Sequence, residues 1–166
     1  MARKPGSMYR YVRGHLSTRR EYMGGIPNPR ITQYVLGNKK ADFPLMISLV
    51  AIEECQVRHN ALEAARITAN RTMDKKAGTS NYRLQVRTYP HVVLRENKQA
   101  TGAGADRVSQ GMRASFGKTV GTAARVKHGQ IIMKVETFER NIGHSRNALI
   151  KASSKLPPTC KIKYAS

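Results

Sequence analysis

The chain has 166 residues, of which 40% are hydrophobic, enough for one compact domain with a core rather than a wholly disordered basic tail. Thirty Lys and Arg face ten Asp and Glu, so the formal net charge is +20. Such a charge attracts polyanions, repels copies of the chain itself, and favours nucleic acid over a small acidic substrate as the partner.

The sequence of residues 1–29 predicts a basic N-terminal arm in which cations are interleaved with tyrosines. Gly24, Gly25 and two prolines argue against regular structure near the end of this arm. Either the arm is floppy, or it is extended and becomes ordered on RNA. The second interpretation is favoured because disordered tails are usually poor in aromatic residues. Tyrosines can stack on bases while arginines meet phosphates. The arm residues predicted to bind RNA are Arg3, Lys4, Arg10, Tyr11, Arg13, Arg19, Arg20 and Tyr22.

Residues 30–166 predict a single α+β domain of mostly antiparallel sheets packed with two helices, an α/β sandwich. Alternating or β-branched runs predict strands at 30–36, 45–51, 83–87, 91–95, 122–127, 131–137 and 159–164. Apolar residues at three- and four-residue spacing predict helices at 58–76 and 145–156.

Several local signals refine this pattern. Pro90 indicates an edge strand or a bend, and residues 127–130 indicate a tight hairpin, because Gly129 adopts positive φ freely. Glu53 and Glu54 are expected at a strand-to-helix junction, and Ser145 is expected to cap the second helix.

No acidic residue follows Glu139, so the second helix should have a basic face. The folded-domain residues predicted to bind RNA are Arg125, Lys127, Arg146 and Lys151.

Residues 99–121 predict a long central loop that contains five glycines. Loops of this length inside a compact domain are usually functional or disordered. Glycines allow a close approach to phosphates and arginine can bind them bidentately, but a mobile loop with incidental charge remains an equal alternative on these grounds. The candidate loop residues are Arg107, Gly111, Met112, Arg113, Phe116, Gly117 and Lys118.

No catalytic or metal-binding motif is evident. Gly117-Lys118-Thr119 resembles the end of a Walker A loop, but five residues rather than four separate Gly111 from Gly117. The five histidines are scattered, and Cys55 and Cys160 predict reduced thiols in a cytoplasmic protein. We therefore expect no metal, no cofactor and no enzymatic activity. No secretory signal or membrane-spanning run is recognised either, so no membrane partner is expected.

The run from Ala105-Asp106-Arg107 through Gly111-Met112-Arg113-Ala114-Ser115-Phe116-Gly117-Lys118 resembles the signature of a universal large-subunit ribosomal protein family. This is the L-sixteen family, called L-ten-e in archaea and eukaryotes. The resemblance continues through Gly121 and 124–126 and recurs at 9–11, 20–27 and 61–66, so it covers essentially the whole chain. Thr119 departs from the Pro or Ala often found there. The chain stops at Ser166, without the eukaryotic extension, and so resembles the archaeal form.

The resemblance implies an α+β sandwich on the cytoplasmic large subunit that binds its rRNA and lies near the tRNA path. It also implies 5S rRNA, tRNA, neighbouring ribosomal proteins and assembly factors as partners, a role in late subunit assembly, and a loop that points toward the peptidyl-transferase region. No homo-oligomer is expected. Two rival classes are an RNA-modifying enzyme, which needs a cofactor pocket or converging acid–base groups, and a nucleic-acid chaperone that acts away from the ribosome.

Overall fold

A computed structural model describes residues 4–12, 14–16, 19–100, 102–108 and 111–165. The strands are β1 (Val35–Gly37), β2 (Leu45–Ala51), β3 (Cys55–Arg58), β4 (Tyr82–Val86), β5 (Val92–Glu96), β6 (Lys118–Val126), β7 (Ile131–Thr137) and β8 (Cys160–Ala165). The helices are α1 (Ser7–Arg10), α2 (His59–Lys76), α3 (Ala105–Val108) and α4 (Ile142–Ser153). Short 3₁₀ turns occur at Arg20–Tyr22, Thr79–Asn81 and Glu139–Asn141.

The strands form two antiparallel sheets. The larger sheet has the order β1-β4-β7-β2-β8 and the smaller sheet has the order β3-β6-β5. In the larger sheet, Val135 lies opposite Ile47 on one side and Leu84 on the other, so the apolar positions of three central strands share one face. This arrangement confirms the predicted α+β class with antiparallel pairing.

Helices α2 and α4 pack against each other and against the apolar face of the larger sheet. The buried residues of α2 recur every three or four positions, which gives the helix one apolar side, as predicted. These residues are Leu62, Ala65, Ala69 and Met73. In α4 the buried side includes Ala148, Leu149 and Ala152, again as predicted. Alanines on both helices allow their backbones to approach closely, so the two helices form one layer above the sheet.

The smaller sheet joins the same core through one face only. Val57, Ala124 and Val126 are buried in that core. Gln56 and Arg125 are paired in register and alternate with those residues, so they lie on the opposite face. The smaller sheet therefore has a second face that the helices do not cover.

The structure changes several predicted boundaries. Strand β3 at Cys55–Arg58 was not predicted, and Glu53 and Glu54 lie between two strands rather than at the start of a helix. Of the predicted strand at 30–36, only the end belongs to β1. Strand β6 begins at Lys118, so its first four residues belong to a strand and not to the predicted loop.

The predicted hairpin at residues 127–130 is wrong. The turn exists and Gly129 has a φ of +77°, but β6 and β7 lie in different sheets. The backbone N–H of Gly129 donates to the carbonyl of Ala51, and the N–H of Ala51 donates to Gln130. These bonds to β2 direct the chain into the larger sheet instead of back along β6.

The predicted N-cap of the second helix is also wrong. The 3₁₀ turn Glu139–Asn141 leads directly into α4, so the helix begins at Ile142 and Ser145 lies within it. The side chain of Ser145 is fully buried, with its Oγ 3.7 Å from the Sδ of Met73. None of the described helices is both long enough and apolar enough to cross a membrane.

Candidate nucleic-acid interface

The N-terminal arm covers the second face of the smaller sheet. The Nε2 of Gln56 donates to the carbonyl of Tyr9 at 3.0 Å, and Arg58 donates to the carbonyl of Lys4 at 3.0 Å. The guanidinium of Arg58 also lies 4.9 Å from the ring centroid of Tyr9. The described part of the arm thus contains α1 and packs on the sheet.

Arg125 binds the same arm from the middle strand of the sheet. Its guanidinium donates to the carbonyls of Gly14 and His15 at 2.8 and 3.2 Å. Further along, the hydroxyl of Thr119 donates to the carbonyl of Gly25. Arg125 was predicted to bind RNA, and the structure shows this side chain attaching the arm to the sheet.

Two arm cations form ion pairs with acidic residues, one at the end of β5 and one between β2 and β3. Lys4 lies 3.6 Å from Glu96, and Arg10 pairs with Glu53. The carboxylate of Glu53 also accepts a hydrogen bond from the backbone N–H of Thr159 at 2.7 Å. That hydrogen bond, together with Arg10, lowers the pKa of Glu53. Glu53 thus links the arm to the start of β8.

A basic groove of about 790 Å³ lies between the arm, the start of α2 and the segment that follows α4. Five cations and one acid, Glu63, are among its lining residues. The cations are Lys4, Arg10, Arg30, Arg58 and Lys155. Glu63 is neutralised by Arg66 at 2.6 Å. We call this feature the basic groove; it brings the arm and the C-terminal region together, which the sequence placed about 150 positions apart.

A second groove of about 850 Å³ adjoins the basic groove at the base of the central loop. Lys4, Arg30 and Arg58 line both grooves, and Lys98 lines only the second. The backbone N–H of Arg30 donates to the Nδ1 of His59 at 2.8 Å, which holds the chain between the grooves. The two grooves therefore form a cationic path from the C-terminal region to the loop.

Those remaining predicted RNA-binding residues that the structure describes lie on exposed surfaces. Arg146 and Lys151 are exposed on α4, on the side away from its buried alanines, and Lys127 is exposed in the turn before β7. Tyr11 and Tyr22 are 69% and 64% exposed, so their rings are accessible for stacking. Arg19 and Arg20 are exposed beside Tyr22, whereas Arg3 and Arg13 lie outside the described residues.

The central loop connects β5 and β6 of the smaller sheet, and its stem is closely packed. The guanidinium of Arg95 lies 3.9 Å from the ring centroid of Phe116, which remains 59% exposed. A Cβ atom at Gly117 would lie 2.7 Å from the backbone carbon of Glu96, so only glycine fits there without a shift. The stem is thereby held against the sheet.

The loop tip is open to solvent. Arg107 lies in the short helix α3, with its side chain exposed. Met112 and Arg113 are exposed, and Gly111 has a φ of +59°. Lys118 is exposed too, but it lies at the first position of β6, opposite Glu96. The structure thus places most predicted loop cations outside the packed stem.

On the outer face of the larger sheet, Glu136 forms ion pairs with Arg83 and Lys134. Burial alone would raise the pKa of this carboxyl, but hydrogen bonds and positive charge from the two cations lower it. Glu136 therefore has a structural role, because its carboxylate links Arg83 of β4 to Lys134 of β7.

The two cysteines are free thiols, and burial raises the pKa of Cys160 to about 11. Within the part of the chain that the structure describes, no group of three or more His, Cys, Asp or Glu is arranged to hold a metal ion.

Sequence reasoning missed several lining residues of the two grooves, notably Arg30, Arg58 and Lys155. It also missed Arg95 beneath Phe116. Arg58, Arg95 and Lys155 lie at or near the ends of strands and helices and Arg30 lies in an irregular segment, so no periodicity marks these cations. Their only sequence signal is the general excess of positive charge.

Comparison with known proteins gives one consistent result. The family model described as Ribosomal protein L16p/L10e matches residues 12–163. Proteins named Large ribosomal subunit protein uL16 from Picrophilus torridus and Thermoplasma volcanium are 55% and 54% identical to the chain over 162 residues. Each alignment covers 98% of this chain and 92% of the relative. The protein of that name from Methanosphaerula palustris is 54% identical, over 98% of this chain and 94% of its own length.

Proposed function

Since this chain belongs to the ribosomal protein L16p/L10e family and is a structural constituent of the large ribosomal subunit, we propose a division of its surface between two RNA partners. The basic groove and the exposed face of α4 bind large-subunit rRNA. The central loop helps to position tRNA near the peptidyl-transferase centre. The proposed roles in late assembly and in contact with 5S rRNA belong to the same surfaces.

The observation that carries the rRNA proposal is the charge of the basic groove. Five lining cations outnumber the single lining acid, which is paired with Arg66. Lys4 and Arg10 are paired with Glu96 and Glu53, and the groove together with these partners still carries more cations than acids. A concave surface of one charge sign concentrates a polyanion, and the phosphate backbone is the part of RNA that such a surface meets first. The arm, α2 and the segment after α4 all line the groove, so its charged side chains are held by packed parts of the fold.

The exposed tyrosines of the arm complement this charge. The rings of Tyr11 and Tyr22 are exposed to solvent, and Arg19 and Arg20 are exposed next to Tyr22 in the chain. Aromatic rings stack on unpaired bases while arginines bind the adjoining phosphates. In this proposal the arm adds contacts to bases, whereas the rest of the surface recognises the phosphates and the shape of the RNA.

The packed stem and open tip of the loop support its proposed role with tRNA. Phe116 and Gly117 hold the stem against β5, whereas Met112 and Arg113 project into solvent. A stem fixed on a sheet can hold a cationic tip at a defined distance from the rRNA-bound face. The chemistry of peptide transfer is left to RNA in this proposal.

Neutralising α4 tests the rRNA proposal. We expect the double variant Arg146→Gln and Lys151→Gln to weaken binding to large-subunit rRNA fragments by about tenfold at equal salt, because two phosphates lose their cation. The slope of log K against log salt should fall by roughly 1.5. Filter binding over a salt series measures both quantities.

A matched control for this test is the double variant Arg71→Gln and Lys75→Gln, which removes two exposed cations of α2. The control should leave the affinity nearly unchanged. Equal losses in the two double variants would show that only total charge matters, and would contradict a role for the α4 face.

The loop proposal is tested with the double variant Arg113→Ala and Lys118→Ala. Both side chains are exposed, so we expect normal folding and normal rRNA binding, with a defect in tRNA-dependent steps or in late maturation of the subunit. Polysome profiles and tRNA binding to purified ribosomes are the measurements. The control variant removes Lys39 and Lys40, which are exposed between β1 and β2. Normal assembly and translation in the loop variant would refute the assignment.

A further inference from the structure

The segment that crosses from the larger to the smaller sheet, residues 87–91, alternates between buried and exposed side chains. Thr88 and Pro90 are buried, as are the flanking Val86 and Val92. The exposed side chains are Arg87, Tyr89 and His91. One cation and two aromatic rings therefore lie on the same open side of a segment that is anchored at both ends.

Tyr34 extends this row to three neighbouring rings. The ring centroids of Tyr34 and Tyr89 are 5.5 Å apart at an interplanar angle of 27°, which is a stacked arrangement. The ring centroid of His91 lies 4.7 Å from that of Tyr89 at an interplanar angle of 48°, so this second pair is tilted rather than stacked. We name Tyr34, Tyr89 and His91 the aromatic ladder.

The inner end of the ladder is held by the fold. The carbonyl of Tyr34 accepts a hydrogen bond from the N–H of Val86 at 2.8 Å, and its ring packs against the hydrophobic core. Its hydroxyl is buried without a hydrogen-bond partner among the described residues. Partial burial, with the charge of Tyr89 and Glu63, raises the pKa of Tyr34 to about 12. The inner ring is thus anchored by the core and by the backbone hydrogen bond to Val86.

The outer end is open. Tyr89 is 50% exposed although it stacks on Tyr34, and His91 is exposed as well. A half-exposed ring that is already oriented loses little conformational freedom when another ring stacks on it. Core packing explains why Tyr34 is placed here, but it does not explain two ordered rings that remain in solvent.

We propose that the aromatic ladder and Arg87 form a binding site for an unpaired nucleobase of rRNA. The base stacks on the exposed ladder rings, and the guanidinium of Arg87 binds an adjoining phosphate. Unpaired bases are recognised in this way by aromatic side chains with arginine beside them. The site is separate from the arm, the two grooves and the central loop.

Charge favours RNA over a protein segment at this site. Arg87 is exposed and makes no ion pair among the described residues, and the carboxylate that acts on Tyr34, Glu63, is neutralised by Arg66. The negative charge of an RNA phosphate complements the positive charge of Arg87. A protein bound at this site instead would give a crosslink to protein.

The test uses assembled large subunits that contain the full chain. Ultraviolet light links stacked aromatic side chains to bases, and trypsin cuts after Arg87 and Arg95. The peptide 88–95 therefore isolates Tyr89 and His91 from every other aromatic residue. We expect a nucleotide adduct on this peptide by mass spectrometry in wild-type subunits and in Tyr89→Phe, which keeps the ring. In Tyr89→Leu the adduct should fall about fivefold or more, because a leucine cannot stack.

Two further variants exclude a trivial effect of misfolding. His91→Ala removes the exposed outer ring without touching the core, and it should also lower the adduct. Tyr164→Leu changes an exposed tyrosine on β8 and should leave the adduct on peptide 88–95 unchanged. Thermal unfolding of each variant confirms that the fold is intact.

The proposal is overturned by three results: no nucleotide on this peptide in wild-type subunits, an adduct that is equal in Tyr89→Leu, or a link to another protein instead. None of these results affects the salt dependence or the α4 variants. Failure here is thus distinguishable from failure of the proposed rRNA-binding groove.

Discussion

Gly37 shows how one backbone position dictates its residue. At the end of β1 it has a φ of +83°, and a Cβ atom there would lie 2.3 Å from the carbonyl oxygen of Tyr82. Its neighbour Asn38 donates to that same carbonyl at 2.9 Å, so the carbonyl cannot easily move away. Glycine is required both for the conformation and for the close approach of β4.

We expect Gly37→Ala to destabilise the protein by at least about 2 kcal/mol, because left-handed strain adds to a backbone clash. Gly129→Ala is the control, since Gly129 has a similar φ of +77° with no atom within 4 Å of its Cβ position. That variant should lose only about 1 kcal/mol. Urea unfolding measures both, and equal losses would show that strain alone matters at Gly37.

At the scale of elements, the arm and the smaller sheet form a unit that charge counting does not reveal. Arg125 donates to two arm carbonyls, and Gln56 and Arg58 donate to two others. Backbone carbonyls of an irregular segment have no helix or sheet partner, and side chains of β3 and β6 donate to these four. Part of the positive charge of this chain is therefore used to hold its own backbone.

We expect Arg125→Gln to loosen the arm while the core stays folded. Trypsin should cut faster after Arg19 and Arg20, and amides of residues 9–15 should exchange faster with solvent, because local opening becomes easier. The control is Lys127→Gln, an exposed residue two positions further along. Unchanged protection of the arm in Arg125→Gln would mean that other contacts hold it.

For the whole molecule, the dominant quantity is the net charge of +20 on a folded core. Ion pairs with acids involve Lys4, Arg10, Arg66, Arg83 and Lys134 among the described residues. Most of the thirty cations therefore face solvent or the grooves, and counterions that they displace from RNA are released on binding.

We expect binding of the isolated chain to large-subunit rRNA to be strongly salt-dependent. Log K should fall by roughly 0.7–0.9 for each neutralised phosphate per unit of log salt. Titration of labelled rRNA fragments at several salt concentrations measures the slope. A flat dependence would contradict an electrostatic attachment to rRNA.

The sequence by itself determined the helices, most strands and the family. The buried faces of α2 and α4 follow from local spacing, as with Leu62, Ala65 and Ala69, and the long run around Arg113 carries the family signature. Helical and strand periods are local properties, because each depends on which side of a short segment is apolar.

Only the tertiary structure decided which segments meet. It assigned β6 and β7 to different sheets, attached Arg125 to the arm, assembled the basic groove from distant segments, and stacked Tyr34 on Tyr89. The physical reason is that strand pairing and side-chain contacts between distant residues depend on which buried faces fit together. A cation or a tyrosine has the same local sequence pattern whether it binds its own chain or an RNA partner.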